Sequence, residues 1–108
     1  MGEKGDKNTP DASSAAESLV NLLSEIGDIT SKRMFGGHGI FHEDKMFGII
    51  DSSGTAFLKA NDFLEERFEK AGSEKHGRMP YYSIPSAVLE DRDELVRWAN
   101  DSIRATKV

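Results

Sequence analysis

No cysteine occurs in this 108-residue chain. That absence excludes a disulfide framework, a thiolate zinc site and a cysteine nucleophile together, and it fits a reducing compartment. Long apolar runs are missing as well. No stretch approaches the roughly 20 apolar residues of a membrane-spanning helix, and no apolar segment follows the N-terminal charges as a secretory signal requires. A cytoplasmic setting is therefore expected, with no membrane as partner. A basic stripe is also lacking. Lys and Arg total 14 against 19 Asp and Glu, for a net charge of −5, and the densest basic pair is Lys32-Arg33. Duplex-binding surfaces concentrate positive charge to displace counterions from phosphate, so direct contact with nucleic acid is disfavoured. Prolines number three, and two of them, Pro80 and Pro85, bracket a single short segment.

The length suits one domain, large enough to bury a core without metal or disulfide staples. Residues 1–13 are polar and read as a disordered leader, leaving 14–108 as the domain. Leu19, Leu22, Leu23 and Ile26 then follow the spacing of one helical stripe. Ser14 and Glu17 suit a capping box at its start, and Gly27 suits a left-handed residue just past its end. From Ser31 to Lys59 short apolar segments alternate with polar or glycine turns: Met34-Phe35, Ile40-Phe41, Met46-Phe47 with Ile49-Ile50, and Ala56-Phe57-Leu58. Glu43-Asp44 suits a tight hairpin and Asp51-Ser52-Ser53-Gly54 a type I turn closed by glycine. The spacing leaves no room for crossover helices, so the strands form an antiparallel meander. Asn61 begins a second helix with Leu64, Phe68 and Ala71 inward, and Gly72 ends it. Pro80–Pro85, with Tyr81 and Tyr82 inside, suits a short edge strand. A last helix begins near Asp91, with Glu94 completing a second capping box and Leu95, Trp98, Ala99 and Ile103 inward. The expected fold is α+β: helix, three or four antiparallel strands, helix, strand, helix, with the helices packed against the sheet.

The ordered series Arg33-Met34-Phe35-Gly36-Gly37 with Gly39, Met46-Phe47, Phe57-Leu58-Lys59, Ala71-Gly72-Ser73-Glu74, Gly77-Arg78, Tyr81-Tyr82, Pro85, Val88-Leu89-Glu90-Asp91, and Leu95 with Trp98-Ala99 resembles the N-terminal domain of the TfoX family, named for regulators of bacterial competence. The likeness runs over about residues 18–106. It implies a two-layer α/β fold and a role in transcriptional regulation. Competence regulators of that family carry a further C-terminal domain, whereas this sequence ends at Val108. Two other departures are His38, where an aromatic residue is commoner, and the short Lys75-His76 stretch between Glu74 and Gly77.

Candidate sites are few. Gly36-Gly37-His38-Gly39 matches no phosphate-loop pattern and sits between strands rather than opening a helix, so Gly36, Gly37 and Gly39 are read as a structural turn. His38 and His42 on one strand would stand about 13 Å apart, too far to share a metal, and His76 falls in a polar loop. Glu65, Glu66 and Glu69, and Asp91, Asp93 and Glu94, fit solvated helix faces or helix starts. No G-x-S-x-G elbow presents a serine. No catalytic residue, metal ligand or cofactor is assigned. Arg33, Arg78, Tyr81 and Tyr82 form the candidate interaction surface, being types favoured at interfaces. At least one tyrosine of the adjacent pair should reach solvent or a loop. The expected function is non-catalytic, through a protein partner whose identity the residues do not give, or through a second copy of the chain. The alternatives are an enzyme or small-ligand domain with its site near Gly36–Gly39, and direct DNA binding.

Overall fold

An alanine stripe carries the first helix further toward the N-terminus than composition suggests. The computed structural model describes residues 9–34 and 36–107, and in it α1 runs Thr9–Leu22. Ala12, Ala16, Leu19 and Leu23 are all at most 2% exposed, so the buried stripe starts inside the stretch read as a leader. Alanine is the strongest helix former, and here it allows close packing. Ser14 lies within the helix and not at its cap, which corrects the expected capping box. Residues 1–8 lie outside the described residues. After α1 a 3₁₀ turn, Ser24–Ile26, intervenes before Gly27 at φ +90° and ψ 148°. The glycine has positive φ as expected, but one turn late and outside the left-handed helical well.

Five strands follow: β1 (Ile29–Met34), β2 (Gly37–His42), β3 (Lys45–Ile50), β4 (Ala56–Lys59) and β5 (Tyr81–Ser83). They form one antiparallel sheet in sequence order, β1-β2-β3-β4-β5. Glu43 and Asp44 turn β2 into β3 with φ of 51° and 70°; two positive values give the turn whose twist matches that of the strands. Between β3 and β4 the Asp51 side chain accepts from the backbone N–H of Ser53 and Thr55 at 3.0 and 2.9 Å, and the Gly54 N–H donates to the Asp51 carbonyl. β1 starts earlier than its apolar end at Met34 suggests, because four of its six residues are exposed.

Helix α2 (Asp62–Lys70) is capped at both ends. The Asn61 carboxamide oxygen accepts from Leu64 N–H at 2.9 Å. Ser73 N–H donates to Phe68 O and Gly72 N–H to Glu69 O, with Gly72 at φ +82°, a Schellman ending. A four-residue helix α3 (Ser86–Leu89) follows Pro85, and α4 spans Arg92–Lys107. Asp91 caps α4 by accepting from Asp93 and Glu94 N–H. Glu94 does not return the bond as a capping box would. Its carboxylate accepts from Trp98 Nε1 at 3.3 Å and pairs with Arg97 at 3.0 Å.

Among the described residues the four α-helices pack on one face of the sheet. Across it Ile40 faces Gly48, Gly48 faces Leu58, and Leu58 faces Tyr82. Ile40, Leu58 and Tyr82 are buried against Leu19, Leu23, Phe68, Leu95, Trp98, Ala99 and Ile103. Phe68 stacks on Tyr82 and meets Trp98 edge-on at 5.6 and 5.0 Å between centroids. On β3 the register slips: Met46 faces Phe41 and Gly48 faces Ile40, leaving Phe47 as the extra residue of a bulge. Ser102 of α4, fully buried, reaches across to it. Its Oγ lies 3.1 Å from Phe47 O and 2.7 Å from Lys59 O. One hydroxyl thus ties the last helix to two strands. The fold is α+β in two layers, sheet and helices. Among the described residues no helix is long and apolar enough to cross a membrane.

Candidate interaction site on the helix-free face of the sheet

Strand alternation sends every second side chain to the face opposite the helices. On that face Gly39 stands beside Lys32 and Ile49, and Ile49 beside Phe57. A Cβ built on Gly39 would lie 2.9 Å from Met46 Sδ, 2.9 Å from Phe41 Cε1 and 3.1 Å from Met34 Sδ. The bare glycine is what lets those three side chains converge. Met34, Phe41, Met46 and Ile49 are each partly buried, and the Lys32 ammonium sits 5.7 Å from the Phe41 ring centroid. Among the described residues no helix covers them. Partial cover comes from the segment after α2: His76 meets Phe57 edge-on at 4.7 Å, and Met79 is 41% exposed. Between this segment and the sheet lies a cavity of about 310 Å³, lined chiefly by Met34, Met46, Ile49, Asp51, His76 and Met79.

The glycines beside this cavity meet three different demands. Gly36 has φ +81° in the connection from β1 to β2. Gly37 has no room for a Cβ, which would overlap the Ile50 carbonyl oxygen. Gly39 leaves the floor open, as above. Phe35, expected in the first strand, lies outside the described residues.

The four residues read as an interaction surface do not assemble. Arg33 lies on β1 and the tyrosines on β5, at opposite edges of the sheet, four strand spacings or about 19 Å apart. Arg33 and Arg78 are exposed, whereas Tyr81 and Tyr82 are 4% and 3% exposed. Neither tyrosine is exposed to solvent; Tyr81 meets the loop that returns after α2, as expected of one of the pair. Tyr82 is sealed under α2. Tyr81 is on the helix-free side, but the returning segment covers it: His76 N–H donates to Tyr81 O and Ser83 N–H to Glu74 O, each at 2.8 Å, and Lys75 bridges Tyr82. The Tyr81 hydroxyl donates to Met46 O at 3.4 Å.

Electrostatics at the site are modest. Burial acts to raise the pKa of the Asp51 carboxyl, but hydrogen bonds from the Ser53 hydroxyl and the N–H groups of Thr55 and Ser53, with the His76 charge nearby, outweigh it and bring the pKa below the ordinary value. Asp51 stays an anion at the cavity rim. Burial pushes the Tyr81 hydroxyl up. It does the same to Tyr82, reinforced by the carboxylates of Glu65 and Glu69. The histidines do not gather. His38 is 8% exposed, faces Ile50 across the sheet, and its Nδ1 has no hydrogen-bond partner. Among the described residues no group of three or more His, Asp or Glu could hold a metal. What remains is an apolar, thioether-rich surface with one anionic corner. Its chemistry is that of packing: methionines re-pack around varied apolar groups. Sequence reasoning missed the convergence of Met34, Met46 and Met79, although Met34 and Met46 stand on the segments either side of the one that follows the glycine cluster.

The model of the TfoX N-terminal domain matches residues 21–106. DNA transformation protein TfoX1 of Aliivibrio fischeri (strain ATCC 700601 / ES114) is 29% identical over 79 residues, covering 73% of this chain and 37% of that protein. The chain therefore corresponds to little more than a third of the length of that relative. Fold, ordered motifs and match agree, and the chain belongs to the TfoX N-terminal domain family.

Proposed function

We propose that this domain is a non-catalytic, cytoplasmic module of a competence-related regulatory system, acting on transcription by holding a partner protein on the helix-free face of its sheet. The carrying observation is the cluster of Met34, Phe41, Met46 and Ile49, partly buried and without helical cover among the described residues. Its occupant is an apolar anchor side chain of the partner, which fills the cavity beside Gly37 and leaves the Asp51 anion at the rim for a polar or basic neighbour. The family membership and the relative's printed role in DNA transformation support the regulatory context. Contact with DNA by this chain is not part of the reading, given the net charge of −5.

The test replaces the matching stretch of the Aliivibrio relative with this chain and measures transformation of the bacterium. The exchange should restore transformation, and the same exchange carrying Ile49→Glu should fail while the isolated variant still folds. Restoration by both forms would remove the helix-free face from the function. A second reading takes the cavity as a small-ligand site, since about 310 Å³ lies at the lower end of the range for such pockets. Titration with a small aromatic such as indole, read on the methionine methyl resonances, distinguishes them. Saturable shifts at Met34, Met46 and Met79 favour the ligand reading, and unchanged spectra remove it.

A further inference from the structure

A second surface, on the far side of the helical layer, is not used by that reading. Phe63, in the first turn of α2, is 84% exposed. Among the described residues it is the most exposed of the large apolar side chains, and no packing in the monomer accounts for it. Beside it runs a groove of about 440 Å³ between the start of α2 and the end of α4, lined by Asn61, Leu64, Arg67, Asp101, Arg104 and Ala105, with Phe63 itself at its lip. Ion pairs and a ring contact tie the two walls together. Arg67 Nη2 donates to Asp101 Oδ2 at 2.6 Å, and its guanidinium lies 4.9 Å from the Trp98 ring centroid. Arg104 pairs with the other oxygen of Asp101 at 3.7 Å.

From this arrangement we infer that the domain forms a two-fold symmetric dimer in which Phe63 of each copy seats in the α2–α4 groove of the other. Two features name a second copy as the occupant. First, a protruding aromatic and a receptive groove lie side by side on one patch. A two-fold axis through such a patch places each wedge in the opposite groove, which is the self-complementarity an isologous interface requires. Second, the charges fit. The whole chain is at −5, so two copies repel on average. Around the groove, however, Asp62 and Asp101 balance Arg67 and Arg104. A surface with equal numbers of both signs, its arginines already paired with Asp101, adds no net repulsion between copies, and the Arg stems supply apolar cover. An aromatic anchor in a pocket, ringed by polar groups, is the arrangement that concentrates binding energy at interfaces. The dimer leaves both helix-free faces exposed, so one assembly presents two partner sites.

The experiment is sedimentation equilibrium of the purified chain over a wide concentration range, with circular dichroism to confirm folding. The wild-type chain should sediment as a reversible dimer. Phe63→Asp, which removes an already exposed side chain, should melt as the parent monomer does and weaken dimerisation by at least about tenfold. Ala105→Trp fills the groove and leaves Phe63 in place; it should weaken dimerisation similarly. A wild-type chain that stays monomeric at its highest soluble concentration overturns the proposal. So does a dimer that survives both substitutions, since that dimer would use another surface.

Discussion

The two faces of the sheet are made by the same five strands, yet they end in different states. On the helical face Ile40, Leu58 and Tyr82 are at most 3% exposed and locked between aromatic and aliphatic side chains of α1, α2 and α4. On the other face Met34, Phe41, Met46 and Ile49 are left half-covered. Composition follows the difference. The covered face uses shape-defined residues and one aromatic stack, while the open face uses flexible thioethers around a glycine. Alternation alone makes both faces apolar. The number of layers decides which of them supplies stability and which stays available for contact.

That contrast can be broken from the helical side first. Trp98→Ala removes a 9% exposed side chain that meets Phe68 edge-on and carries the Arg67 guanidinium. The expected loss is about 3–5 kcal/mol of unfolding free energy, measured by urea titration. A variant melting like the parent would mean the helical layer contributes little. Ser102→Ala comes next. It leaves the Phe47 and Lys59 carbonyls without their shared hydroxyl, at a cost of about 1–3 kcal/mol by the same measurement. Gly36→Ala, at φ +81°, should cost about 1 kcal/mol through backbone strain alone; a larger loss would point to a packing role. Ile49→Glu on the open face should cost no more than about 1 kcal/mol. If it proves as damaging as Trp98→Ala, the open face belongs to the core and the contrast fails.

Alkaline pH provides a finer comparison, because one tyrosine lies on each face. Burial raises the pKa of both, and nearby Glu65 and Glu69 raise Tyr82 further. The folded protein favours the neutral phenol more than the unfolded chain does, where the pKa is about 10. Their contribution is therefore complete below about pH 10 and is lost as pH rises from there through the folded-state values. Melting temperature followed from pH 8 to 11.5 should fall, and Tyr82→Phe should flatten part of that fall. An equal slope in the variant would assign the effect elsewhere.

Where a feature depended on local chemistry, it could be read from the residues. The Glu43-Asp44 turn, the Asp51–Gly54 turn, the Asn61 cap, the glycine ending of α2 and the inward stripe of α4 each follow from a few neighbouring side chains. Features that depend on distant chain segments could not. The burial of Tyr81 comes from residues 74–76 folding back along β5 and that of Tyr82 from α2 packing over it, and no period in the sequence encodes either cover. Ser102 reads as one more polar residue on a helix, since the bulge it serves lies 55 positions away. The start of α1 was hidden for another reason: Ala12 and Ala16 count as apolar only once a helix aligns them. The exposed half of β1 and the four-residue α3 are too polar or too short to announce themselves. The glycine cluster reads as a turn, and the residues chosen as a contact surface were polar and aromatic ones, two of which lie on the far edge of the sheet. Met34 and Met46 read only as members of apolar strand segments, and Met79 stands in a polar stretch.

The bond from Ser102 to the β3 bulge has a consequence for synthesis on the ribosome. The buried side chains that α4 supplies to the core, among them Leu95, Trp98, Ala99, Ser102 and Ile103, emerge after the whole sheet has been made. Until then the meander has helical cover only from α1, α2 and the short α3, and the carbonyls of Phe47 and Lys59 must be satisfied by water. The nascent domain therefore passes through an interval in which Ile40 and Leu58 are only partly covered. How long that interval lasts is set by the rate at which the last sixteen residues of helix leave the exit tunnel.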